Sequence, residues 1–554
     1  MLAGAVLLGA ALRLHAIRDQ ILLSDEWHAL HAAALTPVAQ LLRLVTFGAT
    51  SIPMNVYTRL LLEGPGWTEL GLRLPSLLAG LASLVLFPLL VRDLLRPRAT
   101  VIFAYLVAVS PFLVFYTRYA RPYGVVVLLA FASFVACHRW AASGRRRDAA
   151  VFVGAGVLAG WLHVPEVRSI FLPLLLLLAL WYRRQGQVVR PSLDALLRVG
   201  LIAAAVFAVL LLPGVLDRSQ ALMPVIGRAH PDGSTLLGVA ELLSGTANPV
   251  ACGAFLALAI LGFAIQARRD RLLAMLLLLV TAGGFLMVLV ARPFDSHIPI
   301  VFARYVIVVF PLAMMLVASG IDGALGWAER RYPSRASRVV AGSAAAVMLA
   351  ALFWLGPLPR IYAGRNDFTN HKAFQASYGP VGVANAYTRG FARLLAGGAA
   401  RTIPPFYERL GSEAGCEVLV EYPLPIGDVY SPYFLYQARH QRRVLGGYLR
   451  VASPSESRPG IVHAEWPIDL VLREVRDESR LRFRNLVDLG DPAALRACAA
   501  CCLVVHTDLA AELEGACRGG SPASLLGADW QRRYGEPAFA DACTTVFDLR
   551  RLPG

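Results

Sequence analysis

Charge is scarce in this sequence. Only 16% of its 554 residues are Asp, Glu, Lys or Arg, where a soluble domain carries about 25%. Hydrophobic residues reach 57% and the mean hydropathy is +0.56. These numbers exclude a disordered chain, a collagen-like chain and an ordinary soluble enzyme. Internal repeats, coiled-coil heptads and low-complexity tracts are absent too. The N-terminus lacks the basic leader and the small-x-small site of a cleaved signal peptide, so it reads as a first membrane span.

The net charge is +16, and its location says more than its size. Residues before Leu358 carry +14 and the remainder +2. A nucleic-acid binder needs the excess on a soluble face. Here it sits on the apolar part, so nucleic acid is not an expected partner and the lipid bilayer is.

Apolar runs predict about eleven spans, with cores near 1–18, 74–92, 99–117, 123–140, 149–163, 169–182, 197–216, 248–267, 272–291, 300–320 and 339–357. Arginines cluster in alternate loops: Arg92, Arg96 and Arg98; Arg139 and Arg145 to Arg147; Arg183, Arg184 and Arg190; Arg268, Arg269 and Arg271; Arg330, Arg331, Arg335 and Arg338. The positive-inside rule assigns that face to the cytoplasm. Segment 19–73 and the tail 358–554 are then expected outside, in a multi-pass protein of the cell (inner) membrane.

From 358 onward the apolar runs shorten to strand length, at 416–422, 443–449, 468–475, 502–506 and 544–549, with helix-like stretches at 493–500 and 508–516. This predicts an extracytoplasmic α/β domain. Six of the eight cysteines fall here, which admits disulfides of undetermined connectivity, buried thiols, or a metal at Cys498 and Cys501.

Four polar constellations lie at predicted outer loop ends. Asp25 and Glu26 follow the first span. Such carboxylates can act as a general base, ligate a divalent cation through oxygen, or simply end the span in water. Arg118, Arg121 and Tyr123 open the fourth span, where outward arginines either grip a phosphate or snorkel to headgroups. Arg304 and Tyr305 open the tenth, where Arg304 either meets a buried phosphate or forms a salt bridge to Asp295 or to one of the first-loop carboxylates. His163 stands at an outward turn with Glu166 and Arg168. The loop after the acidic pair is long enough for two short helices, with 51–57, including Tyr57, read as the turn between them.

The ordered set resembles a known family over roughly residues 1–320. Its parts are an acidic pair after the first span, a Pro-x-x-x-Tyr segment ending at Tyr57, and an Arg-Leu-Pro at Arg73 opening the second span. A Tyr-x-x-x-Ala-Arg-x-Tyr segment ending at Tyr123, a His at 163 and the Arg304-Tyr305 pair complete it. The family is the polyprenyl-phosphate-dependent membrane glycosyltransferases of the GT-C fold, close to the protein O-mannosyltransferases and lipid A aminoarabinose transferases. The resemblance implies a multi-spanning α-helical GT-C-like protein with a C-terminal domain. It implies a hexosyl- or pentosyltransferase that takes a monosaccharide from a polyprenyl-phosphate sugar. The acceptor would be an envelope glycan, lipid or protein on the outer face. Asp25, with Glu26, would be the essential carboxylate or metal ligand, and Arg121, with Arg118 and Arg304, would hold the donor phosphate. Where many relatives carry Gln-Glu, this chain has Arg118-Tyr119. A transporter or flippase of anionic lipid-linked glycans is the alternative, but it calls for symmetric halves, which the sequence lacks.

Overall fold

The structure is a computed structural model. It describes residues 1–15, 17–18, 26, 33, 38–42, 51–65, 68–183, 189–216, 230–293, 296–359, 403–412, 416, 418–422, 436, 440, 442–445, 501–506, 534–542 and 544–551. The chain divides into two compact units. Met1–Ile17 with Pro37–Pro359 form a helical unit, and the sheet-bearing tail forms the second, which also takes in Glu26.

In the helical unit the helices run α1 (Leu2–Leu14), α2 (Ile52–Glu63), α3 (Glu69–Val91), α4 (Pro97–Val109), α5 (Pro111–Thr117), α6 (Tyr123–Ser143), α7 (Arg146–Leu162) and α8 (Arg168–Tyr182). They continue with α9 (Leu193–Leu216), α10 (Gly233–Ser244), α11 (Pro249–Arg269), α12 (Arg271–Ala291), α13 (Pro299–Tyr305), α14 (Val309–Arg331) and α15 (Arg335–Leu355). Helix lies under each of the eleven expected spans, but α1, α7 and the described residues of α15 are not long and apolar enough to count as crossings. Among the described residues seven helices are long and apolar enough to cross a bilayer, and α4 with α5 makes an eighth as a broken pair. The multi-pass membrane architecture is therefore established.

Three local expectations are corrected. Segment 51–57 is not a turn: Ser51 is the N-cap of α2, and Pro53 falls in its first turn, where a missing N–H costs nothing. The tenth span is not continuous from 300. A non-helical step at Val306, within the β-branched run Val306-Ile307-Val308-Val309, separates α13 from α14. The third span bends by 58° between α4 and α5.

That bend has a local cause. Pro111 has no N–H, so the Val107 carbonyl four residues earlier loses its helical donor. In a bilayer an orphaned carbonyl must find a partner in the protein. Arg13 of α1 supplies it, donating from Nη2 to Val107 O at 3.3 Å and from Nη1 to Ala108 O at 3.2 Å. Ser110 caps the new helix start through the Leu113 N–H.

The tail carries α16 (Pro405–Ser412) and strands β1 (Val418–Tyr422), β2 (Arg443–Leu445), β3 (Cys502–His506), β4 (Phe539–Ala540) and β5 (Thr544–Asp548). The order is β2-β1-β3-β5-β4. β1 pairs in parallel with β2 and β3, while β5 pairs antiparallel with β3 and β4. β3 is buried along its whole length, as a central strand covered on both faces should be. Strand β4 was not anticipated, and segments 468–475, 493–500 and 508–516 lie outside the described residues. One disulfide joins Cys416 to Cys501, while Cys502 is a buried thiol. These are the one group of three metal-capable side chains among the described residues, and two of the three sulfurs are bonded to each other. Under the sheet Tyr407 donates to Glu421 Oε2 at 2.7 Å, and His506 Nε2 meets the same oxygen at 2.8 Å.

Candidate functional site

Three helix junctions build the site. Between α5 and α6 the chain turns at 118–122, where the Arg121 N–H donates to the Tyr119 carbonyl at 2.7 Å. The Arg121 carbonyl accepts from Ser76 Oγ of α3, which fixes the turn against that helix. Between α7 and α8 lies a 3-10 turn, Val164–Val167, closed by the Glu166 N–H on the His163 carbonyl at 2.8 Å. The last turn of α13 presents Arg304 and Tyr305.

The His163 ring joins all three. It meets Tyr123 edge-on, with centroids 5.6 Å apart, and stacks on Tyr305 at 5.9 Å and 22°. The Arg304 guanidinium carbon lies 5.7 Å from the centroid of the Tyr123 ring. Tyr116 packs edge-on against Tyr123 from α5 at 4.9 Å.

His163 is 3% exposed and lies in the turn between two spans. Burial, followed by the positive charges of Arg168, Arg304 and Arg121, lowers its pKa to about 3. The imidazole is therefore neutral at physiological pH. Its Nδ1 is buried and has no hydrogen-bond partner among the described residues.

Arg168, the first residue of α8, is buried as well. Its Nη2 donates to Glu166 Oε1 at 2.8 Å and its Nη1 approaches Met287 Sδ at 3.7 Å. Its Nε has no partner among the described residues. Ser169 Oγ donates to the other Glu166 oxygen at 2.5 Å. Around His163 stand the guanidiniums of Arg121, Arg168 and Arg304, and Glu166 pairs with Arg168. Guanidiniums gathered in a poorly solvated place suit a phosphate-like anion, which they can hold by charge-assisted hydrogen bonds.

Five of the residues singled out from sequence thus come together: Arg121, Tyr123, His163, Arg304 and Tyr305. Arg118 is engaged at a helix end through one of its nitrogens. Its Nη1 donates to the carbonyls of Leu12, Arg13 and His15 at 3.1, 3.3 and 2.7 Å, capping the C-terminal end of α1. Tyr57 donates to the Gly71 carbonyl at 2.7 Å, tying α2 to the first turn of α3. Asp25 and Asp295 lie outside the described residues. Glu26 is buried and belongs to the second unit. Arg168 and Glu166 stood beside His163 in the sequence reading without a role of their own. The available signal was an acid and a base two residues apart, directly after the outward His163.

A helical bundle of this kind, with its break at Pro111 and a small sheet domain at the C-terminus, is a GT-C-like membrane fold. No protein-family model matches the sequence, and no curated protein matches it. Solved structures do. ArnT from Cupriavidus metallidurans in the apo state is similar over 99% of this chain and 96% of its own, with 13% identity and a TM-score of 0.53. The oligosaccharyltransferase of Archaeoglobus fulgidus in the apo form is similar over 93% of this chain and 71% of its own, with 12% identity and a TM-score of 0.48. The likeness to ArnT establishes the fold.

Proposed function

We propose that this chain is a membrane glycosyltransferase that moves a monosaccharide from a polyprenyl-phosphate donor to an acceptor on the outer face of the membrane. The observation that carries the reading is the convergence of Arg121, Arg168 and Arg304 on a neutral, buried His163. A donor of this class is a phosphodiester with one negative charge, and its leaving phosphate gains a second. Guanidiniums held where that second charge develops favour the product-like transition state over the substrate, which is the condition for lowering a barrier.

In this reading the C1–O bond to the lipid phosphate breaks as the acceptor oxygen attacks C1 from the opposite face, inverting the anomeric centre. Arg121 and Arg304 hold the phosphate oxygens, and the neutral His163 hydrogen-bonds one of them. Asp25 deprotonates or orients the acceptor hydroxyl, with Glu26 as its neighbour. That assignment rests on their position in the sequence. If the enzyme needs a divalent cation, the same two carboxylates are its candidate ligands. The lipid-phosphate donor is what the sequence resemblance implies, and Arg118-Tyr119 in place of Gln-Glu leaves one acidic group fewer for a cation. The Cys416–Cys501 disulfide supports an oxidising, extracytoplasmic location for the tail.

The test is transfer from a labelled polyprenyl-phosphate monosaccharide in proteoliposomes, with release of free lipid phosphate measured in parallel. Stoichiometric release supports transfer. Movement of the intact donor across the bilayer without release would replace this reading with the flippase. Undiminished turnover in Asp25→Asn would remove Asp25 from its role.

A further inference from the structure

At the other end of the bundle lies a cavity of about 670 Å³ lined by α11, α14 and the start of α4. It opens at the arginine-rich face. Its origin is a close crossing. A Cβ on Gly262 would lie 1.8 Å from the Leu316 carbonyl oxygen, and one on Gly320 would lie 2.1 Å from that of Leu258. The two backbones therefore touch there, as small residues permit in membrane helices. Below the crossing, toward the arginine-bearing ends, side chains rather than backbone set the separation, and the cavity forms.

Two features of its lining call for a ligand. The first is Gln266, 2% exposed within α11. Its Nε2 donates to Ser319 Oγ at 2.8 Å, and that hydroxyl in turn donates to the Met315 carbonyl at 3.0 Å. The hydroxyl proton is thus committed, which fixes the amide with Oε1 as an acceptor. Oε1 is buried and has no partner among the described residues. A polar atom left so inside a membrane helix is costly unless something donates to it.

The second is charge. Arg96, Arg268, Arg269 and Arg330 line the cavity, against the single acid Asp322. Asp322 is already engaged by Arg98 at 2.7 Å and Arg96 at 3.8 Å. Among the described residues Arg268, Arg269 and Arg330 make no ion pair. The remaining walls, Leu261, Ile265 and Trp327, are apolar, and Leu261 and Trp327 face outward from the bundle.

We propose that this cavity binds the headgroup of an anionic glycerophospholipid that carries a hydroxyl. The phosphate lies among Arg268, Arg269 and Arg330, the headgroup hydroxyl donates to Gln266 Oε1, and an acyl chain leaves along Leu261 and Trp327. Basic pockets between spans on the positive face suit such headgroups, and the outward apolar wall favours a lipid over a soluble phosphate. The site lies apart from the His163 cluster and does not depend on the transferase reading.

The test is native mass spectrometry of the full-length protein in detergent, titrated with phosphatidylglycerol, phosphatidic acid, phosphatidylcholine or glycerol 3-phosphate. The expected order of retention is phosphatidylglycerol, then phosphatidic acid, then phosphatidylcholine. Arg268→Gln, Arg269→Gln and Arg330→Gln each reduce phosphatidylglycerol retention about fivefold. Gln266→Leu removes the preference over phosphatidic acid. Arg145→Gln with Arg146→Gln, basic residues elsewhere on the same face, leaves retention unchanged. Equal retention of all three lipids by the wild-type chain overturns the proposal whatever the variants do. So does an equal loss in the Arg145 and Arg146 control, and displacement by glycerol 3-phosphate would assign the cavity to a soluble ligand instead.

Discussion

Arg13 and Arg118 are exchanged between neighbouring helices. Arg13 leaves α1 to satisfy the carbonyls of Val107 and Ala108 at the end of α4. Arg118, just beyond α5, returns to the carbonyls of Leu12, Arg13 and His15 at the end of α1. Each guanidinium repairs the helix end opposite its own. Arg118→Gln and Arg13→Gln should each destabilise the helical unit by about 1–3 kcal/mol, the cost of leaving buried polar groups unsatisfied. Melting of the purified protein in detergent measures it. A melting temperature unchanged in both would show that the exchange does not hold these ends together.

At the candidate site, Arg121→Gln and Arg304→Gln should each lower turnover by about 10²–10³-fold at saturating donor, the scale of losing one transition-state donor. Melting should stay near that of the parent chain. A rise in KM with unchanged kcat would instead mark these arginines as ground-state binders.

Arg168 needs a paired design. Arg168→Gln alone strands the buried Glu166 carboxylate, and breaking such a pair costs about 3–5 kcal/mol. The double variant Glu166→Gln with Arg168→Gln should recover most of that stability while transfer stays impaired. Recovery of both stability and turnover would reduce Arg168 to a structural role.

In the tail, Cys416→Ser with Cys501→Ser should destabilise the sheet by about 2–5 kcal/mol, because the bond ties residues 85 apart in sequence. Alkylation of Cys502, buried at the start of β3, should then accelerate in the full-length protein. Unchanged alkylation would show that the sheet does not need the bond.

Acid should loosen the tail. His440 Nδ1 accepts the Arg442 N–H at 2.9 Å, so the ring is neutral in the fold. Burial, with Arg442 adding to it, lowers its pKa to about 3 from an ordinary 6.5. Between those values the unfolded chain takes up a proton that the folded chain refuses. Stability is therefore full above pH 6.5 and falls toward pH 3, by up to about 1.4 kcal/mol per pH unit. Hydrogen exchange of the β2 amides, corrected for intrinsic rate, should follow that slope. His440→Asn keeps an acceptor without the titration and should flatten it.

Much of the architecture was legible because membrane spans obey composition and length, and because outward arginines break a charge rule that is visible in sequence. Arg121, Arg304 and His163 could be singled out on that ground. Arg118 looked identical by the same rule, and its Nη1 is spent on the end of α1. Sequence distinguishes neither use, since both need a cation near the same interface. Glu166 and Arg168 were seen beside His163 but given no role, because a buried acid-base pair two residues apart resembles any solvated turn. The break at Val306 was hidden because β-branched residues are as apolar as the span they interrupt. In the tail, β4 has two residues, too few to carry an alternation.

The interruption at Pro111 has a consequence within the bilayer. α4 has 13 residues, about 20 Å of rise in a slab about 30 Å thick. Alone it stops short of a full crossing, and its polar end is sealed by Arg13. The remaining depth falls to α5 after the 58° bend, so the backbone changes direction within the slab, where a protein side chain rather than water has to satisfy the freed carbonyls.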